Sequence, residues 1–236
     1  MNREYHKWFS PTLGRDMELL VFGHGGTPLI VFPTSKGRFY DYEERHMISV
    51  IGHKYENGEL QAFCVDSVDE ESWYNKAVPP ADRAARHVQY DVYLVQEVLP
   101  FIRARNAAEQ VGVTGCSFGG YHSVNFALKH PDVVSACVSM GGAFDVHQFL
   151  DGYYDDNCYH NCPPDFLPNL NDPWFLDRYA RMKMVLATGE TDICLAENLR
   201  LGAIMSAKGI PHWLDVWGDG TGHDWPWWQQ MAVKFL

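Results

Sequence analysis

The pentapeptide Gly115-Cys116-Ser117-Phe118-Gly119 constrains this chain more than any other stretch. It follows a short apolar run, Gln110 to Thr114, and precedes a helix-forming stretch from Tyr121 to Lys129. Strand, tight G-x-S-x-G turn and helix make a nucleophile elbow, in which a strained backbone lifts the serine hydroxyl above the edge of a sheet. A side chain at either flanking glycine would collide with the neighbouring strand or helix, so the spacing has a steric cause. Five residues alone are also compatible with a glycine-rich turn and a capping serine. The decision therefore rests on what surrounds them.

The surroundings alternate between strand and helix patterns. Strands are expected at residues 5–10 and 17–22, at Pro28–Phe32, Leu60–Val65, Gln110–Thr114, Val133–Val138, Met184–Thr188 and Pro211–Trp217. Helices are expected at about Asp41–His53, over the long amphipathic stretch Asp82–Arg105, after the elbow, at Ala196–Lys208 with Gly209 as its C-cap, and at Asp224–Leu236. Gly23-His24-Gly25-Gly26 reads as a hairpin turn between the second and third strands. This order implies a single α/β domain over 1–236: a mostly parallel central sheet, an antiparallel N-terminal edge, and helices on both faces. Between about 142 and 173 the regular pattern fails. An irregular stretch of that length, rich in aromatics (Phe149, Tyr153, Tyr154, Tyr159, Phe166), is expected to be an ordered lid or cap, with residues 145–173 over Ser117.

Composition narrows the partners. The net charge is −11 and no run of Lys or Arg exists, which disfavours nucleic acid and anionic membranes. The N-terminus has no apolar signal core and no stretch reaches the length of a membrane span, so a cytoplasmic location is expected. Of the six cysteines, Cys64, Cys116, Cys137 and Cys194 lie in or beside apolar runs and read as small buried residues. Cys158 and Cys162 flank His160, but that spacing matches no standard four-ligand zinc pattern, and neither a metal nor a cofactor is expected.

A serine hydroxyl needs a base, and the base needs an orienting acid. In this architecture the chain order is Ser, then Asp or Glu, then His, each in a loop at a strand's C-terminal end. Ser117, Asp192 and His223 satisfy order and placement together. His223 sits in a glycine-rich loop after the last strand; His24, His87, His122, His130 and His212 sit in other turns, helices or a strand. Asp192 has rivals in Asp145, Asp219 and Asp224, and could instead cap the helix that follows it. The oxyanion hole needs two backbone N–H groups. One is expected from Phe118, the residue after the nucleophile, and the second from the Pro33–Gly37 turn. Pro33 has no N–H, which leaves Ser35 as the choice and Thr34 or Lys36 as alternatives. Phe39, Trp73, Tyr74, Phe144 and Trp225 crowd the expected rim as candidates for a substrate pocket.

Gly115–Gly120 (GCSFGG), Gly189–Asp192 (GETD) and Gly222–Trp228 (GHDWPWW) together resemble the esterase group of the α/β-hydrolase superfamily that contains esterase D, feruloyl esterases and the mycolyltransferase antigens. The resemblance spans nearly the whole chain. It implies the α/β-hydrolase fold and places the nucleophile, acid and base at Ser117, Asp192 and His223. The expected activity is a cofactor-free serine carboxylesterase acting on small, short-chain acyl esters. Acyl transfer to an alcohol, thioester hydrolysis and a non-catalytic interaction protein are the alternatives. Whether the chain forms a homo-oligomer is left open by the sequence.

Overall fold

A computed structural model describes all 236 residues. Its frame is one eight-stranded sheet in the order β1-β2-β4-β3-β5-β6-β7-β8. The strands are β1 (Arg3–Ser10), β2 (Arg15–Phe22), β3 (Thr27–Phe32), β4 (Leu60–Val65), β5 (Val111–Cys116), β6 (Val134–Met140), β7 (Lys183–Gly189) and β8 (Trp213–Trp217). β1 and β2 pair antiparallel, β2 pairs antiparallel with β4, and β4, β3, β5, β6, β7 and β8 run parallel. This is the expected mixed sheet of the α/β-hydrolase fold.

Period-2 alternation explains why the sheet is covered on both faces. Leu19, Val21, Ile30, Phe32, Phe63, Val113 and Leu186 point into the larger core. Leu20, Phe22, Leu29, Val31, Cys64, Val138 and Ala187, one step out of phase, point into the second. The second core is closed by α1 (Asp41–Glu44), α2 (Met47–Val50), α3 (Gly52–Glu56) and the C-terminal α11 (Trp225–Phe235), through Tyr42, Ile48, Tyr55, Trp228 and Met231. The larger core is covered by α4 (Pro80–Tyr93), α5 (Leu99–Arg103), α6 (Phe118–Lys129), α7 (Asp156–Tyr159), α8 (Pro163–Phe166), α9 (Pro173–Tyr179) and α10 (Leu195–Ala207). No helix is long and apolar enough to cross a membrane.

Three expectations need correction. Gly23–Gly26 is not a hairpin turn, because β4 lies between β2 and β3. The β4 run LQAFCV is almost wholly buried, and a place between two strands pairs both of its edges. The helix expected over Asp41–His53 is three short turns, broken where His46 takes a left-handed conformation at φ 60°. The helix expected from Asp82 begins earlier, at Pro80, and widens into a π turn at Leu94–Val98 just ahead of Pro100. A proline contributes no N–H to the preceding turn, which relaxes the regular ladder there.

The irregular stretch expected as a lid or cap packs against the protein beside the elbow, with Phe149 on Phe118 at 5.6 Å. Phe149, Leu150, Cys158, Cys162, Phe166 and Leu167 are buried in the larger core. Tyr121 on α6 donates its hydroxyl to the Asn161 carbonyl at 2.8 Å, and Asn125 binds Asn161 Oδ1 at 3.0 Å. Phe149 and Phe166 are the aromatics of the stretch that are buried in this core, whereas Tyr153 and Tyr154 are exposed.

Candidate active site

Ser117 joins β5 to α6 at φ 56° and ψ −121°, the strained conformation of a nucleophile elbow. Its N–H donates to the Met140 carbonyl at 2.9 Å, tying the turn to the end of β6. The flanking glycines are required by contact: a Cβ at Gly115 would lie 2.3 Å from the Gly119 backbone, and one at Gly119 would lie 2.5 Å from the Pro33 carbonyl oxygen. The second contact also brings the start of α6 against the turn that follows β3.

Three strand ends converge here. His223 Nε2 lies 2.9 Å from Ser117 Oγ, and His223 Nδ1 lies 2.7 Å from Asp192 Oδ1. With the proton on Nδ1, the ring donates to the carboxylate and its Nε2 accepts from the serine hydroxyl. The Asp192 side chain is fully buried and His223 is 15% exposed, so the carboxylate is shielded while the imidazole reaches the surface. Burial pushes the Asp192 carboxyl up, but hydrogen bonds from His223 and from the Cys194 N–H outweigh it and hold the group below the usual carboxylate range. Trp228 sets its ring edge-on to the imidazole, with centroids 4.8 Å apart.

The acid and base loops are stitched together by the residues of the GETD motif. The Glu190 N–H donates to the Trp217 carbonyl at 2.8 Å and the Thr191 N–H to the Thr221 carbonyl at 3.0 Å. The Glu190 carboxylate accepts the Gly220 N–H at 2.6 Å, and Thr191 Oγ1 donates to the Thr221 carbonyl at 2.9 Å. Gly189 permits this approach, since a Cβ there would lie 2.1 Å from the Thr221 carbonyl oxygen.

The rival acids lie outside this relay. Asp145 binds His147 at 2.6 Å and Arg200 at 3.3 Å. Asp219 is exposed, and Asp224 caps α11 by accepting the Trp225 N–H.

The Pro33–Gly37 turn is pinned at almost every group. Asp41 Oδ2 accepts the Thr34 N–H at 3.0 Å and its hydroxyl at 2.9 Å. Asp69 Oδ2 accepts the Lys36 N–H at 3.0 Å. Ser67 donates to the Gly37 carbonyl at 2.9 Å, and Tyr74 donates its hydroxyl to Ser35 Oγ at 2.8 Å. Ser35 is exposed, and its N–H is left between two occupied neighbours.

The candidate pocket residues separate into two groups. Tyr74 is half-buried and its ring meets Phe118 edge-on at 5.4 Å; Trp225 is half-buried and meets Trp228 at 5.1 Å. Trp73 and Phe144 are fully buried in the larger core, where no substrate reaches them, so their aromatic character serves packing. Phe39 is half-buried beside Tyr5 and Tyr40, toward the antiparallel edge. The two largest cavities, about 500 and 360 Å³, are lined by residues near the start of β6 and the end of α6, and neither touches Ser117.

A family model described as "Putative esterase" matches residues 10–234. The chain belongs to this family. Among solved structures, a ferulic acid esterase superposes with a TM-score of 0.79 at 16% identity, over 100% of this chain and 96% of that one. An S-formylglutathione hydrolase from Agrobacterium tumefaciens gives 0.76 at 15% identity, over 98% and 92%. MPT51 from Mycobacterium tuberculosis gives 0.69 at 13% identity, over 99% and 96%. These likenesses carry the fold. A curated relative, the 1-acylglycerol-3-phosphate O-acyltransferase ICT1 of Saccharomyces cerevisiae, is 40% identical over 57 residues, 24% of this chain and 14% of that protein's length.

Sequence reasoning about this esterase-family chain missed Asp41, Asp69, Ser67 and Trp228 as neighbours of the site. Trp228 sits inside a motif that was legible, GHDWPWW. Asp41 opens α1 just after the turn it binds, Ser67 and Asp69 lie in the loop after β4, and no local pattern marks any of the three.

Proposed function

We propose that the protein is a serine carboxylesterase in which Ser117 is the nucleophile, His223 the general base and Asp192 the orienting acid. The observation that carries the reading is the continuous relay Ser117 Oγ, His223 Nε2, His223 Nδ1, Asp192 Oδ1, with steps of 2.9 and 2.7 Å. His223 takes the hydroxyl proton as Ser117 attacks the ester carbonyl, then returns it to the leaving alcohol. Asp192 stabilises the imidazolium formed meanwhile. Water activated by the same imidazole then releases the acid from the acyl-enzyme. The Phe118 and Ser35 N–H groups bind the oxyanion. Ser35 is favoured over Thr34 and Lys36 because both of those N–H groups are already bound to carboxylates.

The substrate class is small acyl esters, consistent with the names of the structurally similar esterases and hydrolases. Tyr74, beside Phe118, and Trp225, beside Trp228, are the side chains proposed to flank the substrate. A cytoplasmic setting accords with six free, buried cysteines. The partial likeness to an O-acyltransferase supports a second reading, in which the same acyl-enzyme passes its acyl group to an alcohol. Product analysis with an added alcohol separates the two.

The test is Ser117→Ala assayed on a nitrophenyl acetate. Turnover is expected to fall by at least about 10⁴-fold with unchanged folding. Retained turnover in a clean preparation rejects the assignment.

A further inference from the structure

We infer that Asp69, held by His122, is the positioning residue that sets the second oxyanion donor. The inference rests on the esterase reading above and deepens it. Asp69 is 1% exposed, and a carboxylate out of water is costly unless it is paired and hydrogen-bonded. One oxygen, Oδ1, lies 2.9 Å from Nε2 of His122, also buried. The other, Oδ2, accepts the Lys36 N–H. His122 stands five residues after Ser117 on α6, its ring between Phe32 at 5.7 Å and Phe118 at 5.0 Å. One carboxylate therefore spans the nucleophile helix and the turn that carries the other proposed donor.

The same residue acts twice. The Asp69 carbonyl accepts the Tyr74 N–H at 3.0 Å, and the Tyr74 hydroxyl binds Ser35 Oγ. Lys36 adopts φ 55°, a left-handed conformation that a lysine takes only when its surroundings impose it. The Asp69 bond to the Lys36 N–H supplies that constraint. The peptide plane preceding Lys36 is fixed, and the preceding N–H, that of Ser35, stays free for the oxyanion. Oxyanion stabilisation depends on donors oriented before charge develops, so a turn that wanders loses rate more than binding.

Neither Asp69 nor His122 touches the reacting atoms, which sets the form of the test. Asp69→Ala is expected to lower kcat on the order of tenfold to hundredfold, with KM within about twofold. Asp69→Asn is expected to recover most of the loss: its amide oxygen still accepts the Lys36 N–H, and its NH₂ can donate to His122 Nε2 once the ring proton sits on Nδ1. Affinity for a trifluoromethyl ketone, to whose carbonyl Ser117 Oγ adds to give a hemiketal oxyanion, is expected to fall in parallel with kcat. If Asp69→Ala folds and keeps wild-type kcat while Ser117→Ala is inactive, the esterase reading stands and this inference fails. If Ser117→Ala is active, the reading beneath it has failed. Should Asp69→Ala not fold, amide exchange in the wild-type protein decides. The Lys36 amide is expected to be protected and the Ser35 amide to exchange fast; equal, fast exchange of both overturns the inference.

Discussion

Two loops at the same rim are held in opposite ways. The acid–base pair of loops, 189–192 and 218–223, is joined mainly by its own backbone and by side chains within the motif. The turn after β3 is held by Asp41 just beyond it and by Ser67, Asp69 and Tyr74, which come from 30 or more residues along the chain. Backbone-to-backbone contact leaves a local record, because it demands glycine at the point of approach and small or hydrogen-bonding residues beside it. Support from distant side chains leaves no record in the supported segment. Pro33-Thr34-Ser35 accordingly reads as an ordinary turn until the carboxylates are seen.

The contrast can be broken at graded strength. The largest effect is expected at the shared centre. Asp192→Asn keeps the shape of the side chain but donates where His223 must donate, forcing the other tautomer, and kcat should fall by about 10³- to 10⁴-fold with little change in KM. A loss of tenfold or less would mean that another acid orients His223. Next comes the backbone contact between the loops. Gly189→Ala drives a methyl into the Thr221 carbonyl, and the loops must part. Thermal unfolding should show a loss of about 1–3 kcal/mol, and a shift of the imidazole of about 1 Å should cost on the order of 10²-fold in kcat. A variant with native stability and rate would show that the loops tolerate separation.

The smallest effect is expected on the side-chain-held turn. Tyr74→Phe removes the hydroxyl that binds Ser35 Oγ while keeping the ring against Phe118. The bond is partly exposed, so its loss should cost under about 1 kcal/mol and lower kcat by about two- to fivefold. A larger fall would place Tyr74 in the chemistry itself.

The same distinction explains what could be read from the residues. β4, α10 and the elbow with its strand and helix were legible because period-2 runs, periodic apolar faces and glycine punctuation are local signals. The place of β4 between β2 and β3 was not, since Gly23–Gly26 suits a tight turn as well as a crossing over a strand end. The break at His46 had no glycine to announce it. Trp73 and Phe144 carry the same aromatic signature as Tyr74 and Trp225, and only burial separates a core ring from one at the rim. The meeting of Ser117, Asp192 and His223 was legible because chain order and strand-end placement restrict them together. Asp69 was not, because its value depends on meeting a turn more than 30 residues away.

Rapid mixing with a nitrophenyl ester, followed by mass analysis of the quenched protein, addresses the chemistry most directly. A burst of nitrophenol close to one equivalent, with the acyl group on the peptide that contains Ser117, is the predicted result. Steady turnover with no acylated Ser117, or with the acyl group on a cysteine or another serine, would contradict it.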